Sequence, residues 1–232
     1  MNITSDQMPI ESHAQSSILS ERLKRGLVGG ALMEAITGIG AITLTIIGLS
    51  GVAPMTMGAI AVIVVGVGLL SESGTLMAEY PAIMSRTRKR FRDRIEFSTG
   101  FGAEAITGII AIVLGILVLL GAEPRVLLPY AAIVLGIGLV LASAAISFIN
   151  SVNLNFLLEG HEDSHEEHIA HTALGTAMGV QVVLGFAVIV LGILALVGLH
   201  PDLTLVAILV ASVAALMDGV AISGRVISAS TD

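Results

Sequence analysis

The chain contains no cysteine and no tryptophan, and only 12% of its 232 residues are charged. Each shortage removes a class of chemistry. Without cysteine there is no disulfide framework, no thiol nucleophile and no thiolate metal site. With so few charges against 55% apolar residues and a mean hydropathy of +0.95, polar surface is too scarce to cover a water-soluble globule of this size. The sequence belongs in a bilayer. It also lacks the ten-residue alternation of a membrane barrel. No glycine-rich phosphate loop follows a strand, and no serine nucleophile sits beside a plausible base.

What is present is six apolar runs. Each has roughly the twenty residues that a helix rising about 1.5 Å per residue needs to cross the hydrocarbon. They predict an all-α polytopic membrane protein with transmembrane helices near 26–50, 55–77, 100–121, 126–149, 172–198 and 203–224. Of the eleven Lys and Arg, ten fall in the N-terminal tail (Arg22, Lys24, Arg25), between the second and third runs (Arg86, Arg88, Lys89, Arg90, Arg92, Arg94) or near the C-terminus (Arg225). Only Arg125 falls on the other side. Because basic loop residues set orientation, both termini are expected in the cytoplasm. Residues 1–25 are a polar tail without the apolar core of a cleaved signal. The basic segment 78–99 reads as a cytoplasmic loop whose arginines and Lys89 hold anionic lipid headgroups. It is too small a basic surface for nucleic acid.

The six runs are a triplication. Glu34-Ala-Ile-Thr-Gly-Ile39 recurs letter for letter from Glu104 to Ile109. Glu34 lies twenty residues before Pro54, Glu104 twenty before Pro124, and Gln181 twenty before Pro201. The turn glycines Gly51, Gly121 and Gly198 coincide in that alignment, and Gly66-Val-Gly68 matches Gly136-Ile-Gly138. Repeat 1 is 26–77, repeat 2 is 100–149 and repeat 3 is 172–224, with a His/Glu-rich cytoplasmic loop at 150–171 and a tail at 225–232. Two helices per repeat make every copy enter the membrane from the same side. The repeats are therefore parallel, related by a pseudo-threefold axis along the membrane normal.

Two groups of residues are candidates for chemistry. In the first, Glu34, Glu104 and Gln181 occupy equivalent sites at one depth, with Glu72 and Asp218 near the same level. A membrane carboxylate costs on the order of 2.5 to 3.5 kcal/mol at the bilayer centre, so these side chains should face the bundle. They either bind a proton or small cation, or hydrogen-bond between helices and fix packing. In helix 1, Glu34, Thr37, Gly38, Ala41, Thr45 and Gly48 fall near one face, where helices approach closely. The second group is His161, Glu162, His165, His168 and His171, whose imidazoles recur at steps of four, three and three. Such spacing can hold Zn or a similar divalent ion, or sense protons, or simply be a solvated connector. His161 to His165 also spells H-E-x-x-H, but without a third ligand at a family spacing, and an enzyme is not expected.

The run from Gly108 to Pro124, followed by Gly136-Ile-Gly138, resembles the short-repeat membrane proteins that include the HdeD-like acid-resistance family. The resemblance covers 26–224 as a pattern of glycine and proline spacing. It implies six helices in a bacterial or archaeal inner membrane and a role in acid or stress response. The chain departs from it in the intramembrane Glu pair, the His-rich loop and the missing tryptophans. Two functions follow as expectations: a non-enzymatic packed module that responds to acid or scaffolds partners, or a proton or small-cation channel or transporter using Glu34 and Glu104. Gly26-x-x-x-Gly30 and Gly175-x-x-x-Gly179 offer close-contact faces for a second copy or a partner membrane protein.

Overall fold

The computed structural model describes the backbone of residues 29–228 apart from 31, 87–90, 158–164 and 201. It describes side chains within 29–74 (31 and 72 apart), 102–143 and 179–220 (201 apart). The elements are α1 (Leu32–Leu49), α2 (Pro54–Arg86), α3 (Phe91–Leu119), α4 (Pro124–Leu157), α5 (His165–Leu196) and α6 (Leu203–Ser228). All six are long and apolar enough to span a membrane, and no strand occurs among the described residues. This is a multi-pass, all-helical membrane fold.

Five of the helices run further than the apolar runs predict. Helices α2, α3, α4, α5 and α6 have 33, 29, 34, 32 and 26 residues, so each is longer than a hydrocarbon core of about 30 Å at about 1.5 Å per residue. Much of 78–99 and of 150–171, expected as loop, is therefore helix. Hydropathy marks only the part that lipid requires, whereas the backbone ladder continues until something breaks it. At the other end the turns stop the helices sharply. Gly51, Gly121 and Gly198 have φ of 92°, 94° and 82°, a left-handed conformation that glycine adopts without a Cβ penalty. Each closes its helix with paired bonds: Gly121 N–H donates to Val118 O at 3.0 Å and Ala122 N–H to Leu117 O at 3.0 Å, and the other two turns repeat the pattern.

Burial separates the helices into two shells. The spans of α2, α4 and α6 have 44, 56 and 50% of their residues buried, against 33, 33 and 22% for α1, α3 and α5. The even helices are inside. A Cβ added to Gly58 of α2 would stand 2.9 Å from Leu205 of α6 and 3.4 Å from Leu128 of α4, so the three meet at one centre. The odd helices lie in the grooves between them. Gly108 of α3 packs on Leu70 of α2, Gly185 of α5 on Val140 of α4, and Gly38 of α1 on Leu216 of α6. Those three partners are repeat equivalents, so the ring closes with the same contact three times.

Along the centre the buried stripe Gly58, Val62, Val65, Leu69 runs at steps of four, three and four, with counterparts Leu128, Ala132, Leu135, Leu139 and Thr204, Ile208, Ala211, Ala215. Every layer mixes large and small side chains: Gly58 with Leu128, Val62 and Ile208 with Ala132, Leu135 with Ala211. Uneven side chains thus fill a similar cross-section at each level. The counterparts also correct the alignment of the third repeat. Gly58 lies seven residues after Gly51 and Leu128 seven after Gly121, whereas Thr204 lies six after Gly198. The proline register therefore slips by one in α6, which begins at Leu203.

Candidate functional site

Glu34, Glu104 and Gln181 are buried, at 1, 5 and 6% exposure, in a protein whose odd helices otherwise show isoleucine and valine outward. Each stands one turn before the glycine that seats its helix in a groove: Gly38, Gly108 and Gly185. The local sequence explains the placement. Thr37 Oγ1 donates to the carbonyl of Glu34 at 2.8 Å, which satisfies the hydroxyl within the helix and lets Thr37 pack on Gly68 of α2. Thr107 packs on Gly138 of α4 in the same way, at 2.5 Å from a Cβ built there. The small-residue face of α1 is buried as its spacing predicts, at Glu34, Gly38, Ala41, Thr45 and Gly48, with Thr37 half-buried.

The three equivalent residues are delivered to three separate grooves between even helices. Glu34 stands where α1 meets α2 and α6, Glu104 where α3 meets α4 and α2, and Gln181 where α5 meets α6 and α4. In the third groove the pairing is explicit: Gln181 Nε2 donates to Asp218 Oδ2 of α6. Spacing along the chain gives no sign of this cross-helix amide. In the corrected register Asp218 is the counterpart of Glu72 and Ala142, three residues beyond the central stripe. The Glu72 side chain lies outside the described residues.

Other small polar groups within the bundle are back-bonded to their own helices. Thr45 donates to Ala41 O at 2.6 Å, Ser143 to Leu139 O at 2.7 Å and Ser212 to Ile208 O at 2.7 Å. Such hydroxyls are satisfied without water, so their presence does not mark a wet path.

Of the second group, His161 and Glu162 lie outside the described residues, while His165, His168 and His171 stand on the first two turns of α5, their side chains outside what is described. Successive steps of three turn them by about 60° each around that helix. No group of three or more metal-ligating side chains occurs among the described residues. Of the basic residues, Arg86 ends α2 and Arg92 and Arg94 stand in the opening turns of α3, while Arg88, Lys89 and Arg90 lie outside the described residues.

Compared with family models, curated proteins and solved structures, the chain has no match.

The Gln181 and Asp218 contact gives one measurable consequence. Interhelical side-chain hydrogen bonds in membranes average about 0.6 kcal/mol and reach about 1.7. A double-mutant cycle of Gln181→Leu and Asp218→Val, read by unfolding in mixed micelles, should give a coupling energy in that range. A coupling of zero would show that the two side chains do not sense one another.

Proposed function

We propose that this protein is a non-enzymatic integral membrane module, of the acid-response or scaffolding kind, in a bacterial or archaeal inner membrane with both termini cytoplasmic. One observation carries the reading: the centre of the bundle is filled by Val62, Leu128, Leu135 and Ile208, each at 0 to 1% exposure. A conducting axis needs room for water or an ion; this one is occupied by interlocking side chains. The basic residues around Arg86 to Arg94 supply the orientation signal and a surface for anionic lipid headgroups. The His161 to His171 segment supplies a proton- or zinc-responsive element at the same side.

A second reading is favoured by the burial of Glu34 and Glu104, whose carboxyls are placed among helices at a cost that a purely structural residue would not incur. There the two acids bind or pass protons or small cations through the grooves in place of the axis. The two readings separate in proteoliposomes loaded with a pH-sensitive dye. The module reading expects the same proton leak from the unaltered protein, from Glu34→Gln with Glu104→Gln, and from empty vesicles. Flux present in the unaltered protein and abolished by the double substitution would overturn it in favour of transport.

A further inference from the structure

The three hairpins are not held together equally. In the first, Gly68 of α2 sits against Thr37 of α1, and Gly48 of α1 would place a Cβ 3.2 Å from Met57 Cβ of α2. In the second, Gly138 of α4 sits against Thr107 of α3. The corresponding positions of the third hairpin carry Ala214 and Leu184, a methyl and an isobutyl group where the others have glycine and threonine. Meanwhile the glycines of α5 approach the neighbouring repeat. A Cβ at Gly185 would stand 3.0 Å from Gly136 O, and one at Gly192 would stand 3.2 Å from Pro129 O, both in α4. Helix α5 is also the least covered span, with 22% of its residues buried against 33% for α1 and α3. At the end away from the turns, α5 and α6 are joined by the hydrogen bond from Gln181 to Asp218.

We propose that the seam between α5 and α6 is the one that opens: α5 stays with α4 and parts from α6 about the Gly198 turn, with Gln181 and Asp218 as its latch. Membrane helices have no hydrophobic drive to associate, because lipid tails are as apolar as leucine; close van der Waals packing holds them. Where glycine lies on backbone, tails cannot replace the lost contacts. Where Leu184 and Ala214 stand in place of threonine and glycine, an acyl chain can. The latch is therefore a larger share of the binding at this seam than a polar contact would be at either of the others. The inference rests on packing alone and stands whether or not anything is transported.

The absence of cysteine makes the test direct, since spin labels can be placed without a background. Val183 and Met217 are exposed at 67 and 50% on α5 and α6, and their repeat equivalents Ile106 and Leu141 are exposed at 59 and 42% on α3 and α4. Val183→Cys with Met217→Cys, and Ile106→Cys with Leu141→Cys, should be labelled in the full chain in nanodiscs and their distances measured by pulsed electron resonance. The first pair is expected to show a second, longer population, about threefold larger when Asp218→Val removes the latch and restored toward the original by Asp218→Asn, which keeps an acceptor. The second pair is expected to stay single in all three backgrounds, which also reports that the bundle is folded. The inference is overturned if Asp218→Val leaves the first pair unchanged, or if both pairs broaden together.

Discussion

Leu128→Ala should cost the fold more than any other single truncation along its axis, on the order of 2 to 5 kcal/mol. Leu128 is 1% exposed, and around it stand Gly58 and the tips of Leu205 and Ile208, which converge on the same point. When a large side chain is removed, the loss includes the contacts its neighbours can no longer make. The loss is smaller only where those neighbours can relax inward. Gly58 has no side chain to move, and Leu205, 3% exposed, is already held against Gly58. By contrast Leu139→Ala leaves Leu69 in the same layer, so the gap can be partly refilled and the cost should sit lower in the range. The prediction is checked by unfolding in mixed micelles of both variants together with Leu128→Ala/Gly58→Ala. That double variant should recover part of the loss, because a Cβ at Gly58 lies 3.4 Å from Leu128 Cδ1 and the Leu205 tip that stands 2.9 Å from it can turn into the vacated space. If the two leucines cost the same and Gly58→Ala rescues nothing, the centre is not packed in mixed layers.

The other large effect lies at the seams between repeats. A Cβ on Gly66 would stand 2.8 Å from Gly108 O, and one on Gly108 would stand 2.7 Å from Gly66 O. Both obstacles are backbone atoms, so no rotamer change relieves them; α2 and α3 must separate. Overpacking of this kind costs about 1 to 3 kcal/mol, against a helix-propensity gain of up to about 1 kcal/mol for replacing glycine by alanine. Gly66→Ala and Gly108→Ala should each be destabilising on balance, and Gly66→Val more so. Combined, the two alanines should cost less than the sum of the singles, since helices that have moved apart for one methyl already accommodate the other. Gly74→Ala, with nothing within 4 Å of its added carbon, should be neutral or slightly stabilising and serves as the control. Additive losses at Gly66 and Gly108 would mean that the two methyls meet different obstacles.

Both effects depend on features that the sequence contains without ranking. The stripe from Gly58 to Leu69 is legible as steps of four and three, and Gly66 and Gly136 are legible as a repeat. Nothing in the letters says that one set faces the centre and the other a neighbouring helix. The buried acids were legible because charge is conspicuous in an apolar run, and their equivalence followed from the copied hexapeptide. Their separation into three grooves was not. Gln181 could be identified as the third member but not as a donor to Asp218, because a helix-to-helix bond between residues 37 positions apart leaves no periodic trace.

By itself the sequence determined six membrane-spanning helices, their pairing into three tandem hairpins and the residues that share a depth, since hydropathy, proline spacing and a literal repeat all act along the chain. Only the tertiary structure decided which helices lie inside, that the described centre is filled with side chains, that α6 slips by one residue, and that Asp218 answers Gln181. The reason is physical. In water, apolar periodicity separates buried from exposed faces, but in a bilayer lipid and protein are equally apolar neighbours. An isoleucine facing tails and one facing a helix are then written with the same letter, and only packing tells them apart.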